Sequence, residues 1–243
     1  MKPKIRYLLP VVLLLLFALG ACTAKAETLT GMVGEVTKDG FRLYTGEGSV
    51  IAVFADGIEW NAEKLPETGD VVTVETVGPA ESGAVFVKTV TLYTLRGTVS
   101  EVAAGKEPYL LLLPETGADP VRVDLGEILP ESVTAGLPVT VYYNGMMTRS
   151  VPPRINALYI RGTVLNGTVT DVGENGELTV LTKEGETAVI LCSEKTLLLT
   201  EPLTGKEVAV SVFPVVRLSL PARYEAQDIR PVEEAGSETV TEF

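Results

Sequence analysis

Gly31-Met32-Val33-Gly34-Glu35-Val36 recurs as Gly97-Thr98-Val99-Ser100-Glu101-Val102 and again as Gly167-Thr168-Val169-Thr170-Asp171-Val172. The starting glycines lie 66 and 70 residues apart, and self-similarity at a regular period is the signature of a repeated structural unit. The far ends of two repeats also match: Ser150-Val151-Pro152-Pro153-Arg154-Ile155-Asn156-Ala157 parallels Ser219-Leu220-Pro221-Ala222-Arg223-Tyr224-Glu225-Ala226. The first repeat has Ala84 to Val90 in that place, so its membership rests on fewer residues. Leu92-Tyr93 followed by Arg96-Gly97-Thr98-Val99 resembles Leu158-Tyr159 followed by Arg161-Gly162-Thr163-Val164. That match gives both joints a common form, and it leaves the third repeat starting at either Gly162 or Gly167.

Working outward from the glycines, each unit reads as five short strands. In the third repeat these are 167–172, 177–182, 187–191, 207–213 and 223–230, dense in β-branched residues and bounded by turn residues. Asp39-Gly40 and Asn175-Gly176 follow the first strand and suit a hairpin turn. Between the third and fourth strands lies a segment of mild helical character (Trp60–Glu67, Gly126–Ala135, Glu194–Leu203), followed each time by a glycine: Gly69, Gly136, Gly205. Five strands with an insertion after the third is the pattern of an OB-fold barrel, with an SH3-like barrel as the alternative of equal strand count. The expected fold is all-β, a tandem array of three five-stranded OB-like barrels over residues 28–94, 95–160 and 161–230. Val85–Val102 contains no proline and one glycine, and Ile155–Val172 is similar in character. The last strand of one barrel is therefore expected to run into the first of the next, giving a stiff row of beads.

The N-terminus carries an address. Lys2, Lys4 and Arg6 precede the apolar run Leu8–Leu19, and Leu19-Gly20-Ala21-Cys22 follows. This is the layout of a secretory signal peptide. Its last four residues resemble a bacterial lipobox, which implies removal of residues 1–21 and lipid on Cys22. Residues 22–27 would be the tether, and the protein would sit on the extracytoplasmic face of the cell membrane. Residues 231–243 carry four glutamates and no base, and read as a solvated, disordered tail.

Composition excludes several chemistries. The chain has 32 acidic and 20 basic residues, a net charge of −12 and no histidine. Without histidine there is no His-based triad or His-ligated zinc. The charge argues against a nucleic-acid partner, whose phosphates need a basic face. Neither a G-x-S-x-G elbow nor an S-x-x-K motif is present. Asp171, Glu174, Asn175 and Glu177 cluster at a turn but lack the spacing of a calcium loop. Cys192 follows an apolar run and reads as a small buried hydrophobe. No catalytic residue, metal or cofactor is expected, and the protein reads as a non-enzyme.

The most distinctive patch runs from Tyr142 to Arg154. Tyr142 and Tyr143 offer contact area, Met146 and Met147 an adaptable apolar surface, and Arg149 and Arg154 flank it. It suits either an external ligand or the contact between neighbouring barrels. Successive strand residues face opposite sides, so only one of the two tyrosines can point outward. A valine/tyrosine strand, a short loop and then S-x-P-x-x-x-x-A, at Val139–Ile160 and Val208–Ile229, resembles the YobA-like secreted modules of Gram-positive bacteria. That family is uncharacterised; the resemblance implies a small secreted β-barrel and no mechanism. The expected role is a lipid-anchored binding or adaptor protein whose partner is an envelope protein or glycan. The alternatives are a rigid spacer holding a partner away from the membrane, and a carboxylate-based envelope enzyme.

Overall fold

A computed structural model describes residues 26–62, 64–78, 83–126, 133–173, 175–214 and 220–232. The signal segment, Cys22 and residues 233–243 lie outside the described residues. Those that are described form strands and connections, and no helix.

The first unit comprises β1 (Thr28–Thr37), β2 (Gly40–Thr45), β3 (Gly48–Ala62), β4 (Val71–Thr76) and the first half of β5 (Ala84–Ala103). β1 pairs with β2, β2 with β3, β3 in parallel with β5, β5 with β4, and β4 with β1. The strands therefore close on themselves in the order first, second, third, fifth, fourth. The second half of β5 with β6 (Tyr109–Pro114), β7 (Val121–Asp124), β8 (Pro138–Tyr143) and β9 (Arg154–Arg161) closes in the same order. So do β10 (Thr163–Val172), β11 (Glu177–Thr182), β12 (Thr187–Leu191), β14 (Glu207–Pro214) and β15 (Ala222–Pro231). A two-residue strand, β13 (Leu197–Leu198), adds a second parallel pairing with β15.

Two features explain the recurring glycines. A Cβ on Gly31, Gly97 or Gly167 would lie 2.3–2.4 Å from the carbonyl oxygen of Tyr44, Leu113 or Leu181 on the neighbouring strand. Only glycine admits that approach. Gly167 makes this contact to the second strand of its unit, as Gly31 and Gly97 do to theirs, and is their structural counterpart. Each first strand then shifts register just beyond Val33, Val99 or Val169. At that bulge the N–H of Gly69, Gly136 or Gly205 donates to the same valine's carbonyl, at 2.6–2.7 Å. The residue after each glycine returns its carbonyl to the valine N–H. These glycines have φ of +85 to +92°, a region costly for other residues.

The first and third segments of expected helical character form no helix among their described residues. Trp60 lies in β3, which continues to Ala62 and pairs with β5 through Glu59–Ala62. The reason is the alternation Ile58, Trp60, Ala62: these three pack on the first core while Glu59 and Asn61 are exposed. That is a strand period, not a helical one. Glu194–Leu203 forms a turn and β13, and residues 127–132 of the middle insertion lie outside the described residues. The first hairpin also differs in detail. Gly40 pairs with Thr37, so Lys38 and Asp39 are its central residues.

β5 is one 20-residue strand shared by the first two units, and only Gly162 separates β9 from β10. The joints are thus as direct as the sequence suggests, but the row of beads is not observed. The first core, built on Val33, Phe41, Leu43, Val72, Val74 and Val85, also packs Tyr142 and Tyr159 of the second unit and Leu197 and Leu199 of the third. The second core, built on Leu110, Leu112, Val123 and Ile155, takes Phe213 of the third unit. Burying such a side chain contributes about 1.5–3 kcal/mol. The three units meet pairwise around a shared centre.

Candidate functional site

At that centre is a cavity of about 640 Å³ with walls from all three units. Its buried floor is polar. Asp70, the residue after Gly69, is 5% exposed. Its Oδ1 accepts a hydrogen bond from the Tyr142 hydroxyl at 3.1 Å, and its Oδ2 pairs with Lys64 Nζ at 3.0 Å and accepts the Glu67 N–H. The equivalent positions in the other units are Leu137 and Lys206. Only the first unit places an acid here, where it faces its neighbours.

Two arginines complete the floor. Arg161, at the end of β9, is 9% exposed; its Nη2 donates to the carbonyl of Gly69 and its guanidinium lies 4.9 Å from the Tyr142 ring centroid. Arg230, at the end of β15, pairs with Asp228 at 2.6 Å and donates to Ser211 Oγ at 3.0 Å. Arg161 stands opposite Thr140, and Arg230 opposite Ala209, at matching places in the two units. Both converge on Gly69, where an added Cβ would come within 2.8 Å of Arg230 Cδ. Two buried polar atoms have no partner among the described residues, Arg161 Nε and Asp228 Oδ2.

Burial governs ionisation here. Burial pushes the Tyr142 phenol well above the ordinary tyrosine value, opposed by the charge of Arg161 and reinforced by Asp70. It does the same to Tyr159, with Asp228 adding to the shift. For Lys64, burial works against the ammonium, but hydrogen bonds to Glu67 and Asp70 and their charges outweigh it and raise its pKa. The Lys64 contribution is therefore present below the ordinary lysine pKa and lost as pH rises through the folded value.

Around the rim stand Arg96 and Lys183, both exposed, with Glu115. Neither cation has a side-chain partner among the described residues.

The sequence patch divides. Tyr142 is 1% exposed, belongs to the contact between units and lines the floor of the cavity. Tyr143 is half-buried, packs toward the second core and lies 5.8 Å from the Tyr93 ring. Met146, Met147 and Arg149 are exposed on the loop between β8 and β9, Arg154 is exposed at the start of β9, and none of the four lines the cavity. That loop is tied by its own bonds: Thr148 Oγ1 accepts from Arg154 N–H and meets Ser150 Oγ, which donates to the Pro152 carbonyl. Trp60 is half-buried and stacks edge-on to Phe54 at 5.2 Å. Cys192 is half-buried against the third core, and burial raises its thiol pKa. Gly173 N–H donates to the Glu177 carbonyl across the turn that follows Asp171 and holds Asn175, and no metal-ligating cluster occurs among the described residues. Glu174 lies outside them.

Sequence reasoning missed Arg161, Arg230, Asp70 and Asp228 as a group. The signal was present in the joint motif, since Arg96-Gly97 and Arg161-Gly162 match and both arginines line the cavity.

No family model and no curated protein matches the chain. Among solved structures it is similar to the Drosophila Unr CSD456 chain, at 14% identity over 85% of this chain and 98% of that one, with a TM-score of 0.22. It is also similar to a multidomain protein with nucleic acid binding domains from Streptococcus pneumoniae, at 12% identity over 82% of this chain and 72% of that one, with a TM-score of 0.21.

Proposed function

We propose that the chain is a lipid-anchored, non-catalytic binding or adaptor protein on the extracytoplasmic face of the cell membrane. Its body is three OB-like barrels over residues 28–94, 95–160 and 161–230, and its ligand site is the cavity they share. The strand order of each unit supports the OB-like reading, because a five-stranded Greek-key barrel closes in that way. The lipobox at Leu19–Cys22 supports the address. The observation that carries the binding role is the cavity itself. Its volume of about 640 Å³ lies in the range of small-molecule sites, and it is walled by all three units with a buried polar floor. A spacer would gain most from barrels laid end to end, whereas here the first and third units touch. The net charge of −12 disfavours nucleic acid.

The test mixes the full-length protein with purified cell wall and, separately, with solubilised membrane proteins at low and high salt. Retention by either fraction, reduced when the cavity floor is altered, supports the binding role. Absence of retention by both overturns it.

A further inference from the structure

We propose that the shared cavity binds a small, hydroxylated oxyanion, a phosphate ester or carboxylate of roughly sugar size. This rests on the cavity being the ligand site. The chain as a whole is acidic, at −12, yet five cations line this one cavity: Lys64, Arg96, Arg161, Lys183 and Arg230. The local acids are already engaged. Asp70 and Glu67 pair with Lys64, and Asp228 pairs with Arg230. That leaves Arg96, Arg161 and Lys183 without a carboxylate partner among the described residues, facing one acid, Glu115. Arg161 is the most telling of the three. It is nine-tenths buried, it is held by a carbonyl and an aromatic face, and among the described residues it has no carboxylate in ion-pair contact and its Nε has no partner. A buried guanidinium without a carboxylate is costly unless an anion completes its shell. Guanidinium is also the group best matched to planar and tetrahedral oxyanions.

The rest of the wall suits hydroxyls: Thr94, Thr140, Thr163 and Asn166 supply neutral donors and acceptors. Size sets the upper limit. A long anionic polymer would have to run over the acidic outer surface and be repelled there, while a small anion can reach the cavity's cations without crossing it. The inference therefore favours a soluble or terminal anionic group over a polyanionic chain.

The experiment is calorimetric titration of the full-length protein in non-ionic detergent with inorganic pyrophosphate and, in a second arm, with citrate. Saturable one-to-one binding of either is expected, and the preferred arm distinguishes phosphoryl from carboxylate ligands. The double variant Arg96→Ala/Lys183→Ala should weaken it by about tenfold or more, with its melting temperature unchanged because both side chains are exposed and unpartnered. Lys106→Ala, an exposed cation away from the cavity, should bind as the parent does. No saturable binding in either arm, or equal binding by the double variant, overturns the proposal. A protein that ignores both anions yet is retained by an envelope fraction loses the ligand class and keeps the binding role. One that fails both tests loses both.

Discussion

Arg161 and Arg230 hold matching places in the second and third units, and their surroundings differ in one respect that decides their roles. Arg230 has an acid two residues before it, Asp228, and a hydroxyl across the strand, Ser211. Around Arg161 the matching places are taken by Tyr159 and Tyr142. One guanidinium is neutralised where it stands; the other is held by a ring face and a backbone carbonyl. The repeats are alike in backbone, down to the bulge and its glycine, and have diverged where the units touch. The same position serves as a closed structural ion pair in one unit and as an open cation in the other.

The comparison can be broken at its strongest point first. Arg230→Met leaves Asp228, which is wholly buried, without its counter-charge. Denaturant unfolding should show a loss of about 3–5 kcal/mol. Arg161→Met abandons no acid, only the Gly69 carbonyl and the Tyr142 ring, and also removes a buried charge without a carboxylate partner, so it should cost about 1 kcal/mol or less by the same measurement. Equal losses would erase the distinction between the two sites. Tyr142→Phe, which removes one hydrogen bond to Asp70 and keeps the ring under Arg161, should cost about 1 kcal/mol.

The last contrast is in pH. Tyr142 and Tyr159 have phenols raised by burial, so the fold favours their neutral form. That contribution is complete below the ordinary tyrosine pKa of about 10 and is lost as pH rises beyond it. Ultraviolet titration should show these two phenols ionising only as the protein opens. The late phase should shrink in Tyr142→Phe and again in Tyr142→Phe/Tyr159→Phe.

Much of the fold was legible because its causes are local. The starting glycines, the alternating strands and the uninterrupted joints are each dictated by neighbours in sequence, and the third-unit strands fall within a few residues of where the pattern places them. The insertions were misread because Trp60–Glu67 resembles a helix only if Ile58 is left out; with it, the alternation from Ile58 to Ala62 is a strand. The site was least legible. Asp70 is one acid among 32, and nothing near it in sequence shows that Tyr142, 72 residues on, will cover it. Tyr142 was singled out for its chemistry but assigned to the surface and the contact alike. Strand alternation could not choose, because both of its faces meet protein. How the units fold back on each other depends on Leu197, Leu199 and Phe213, which in sequence look like ordinary core residues.

The central claim is that three barrels gather around one shared cavity instead of forming a row. Small-angle scattering on residues 26–232 tests it most directly. A radius of gyration near the ~17 Å of a compact chain of that length, with a single-peaked distance distribution, is the predicted result. A radius well above that value, with a distribution extended toward three barrel lengths, would contradict the claim and remove the site with it.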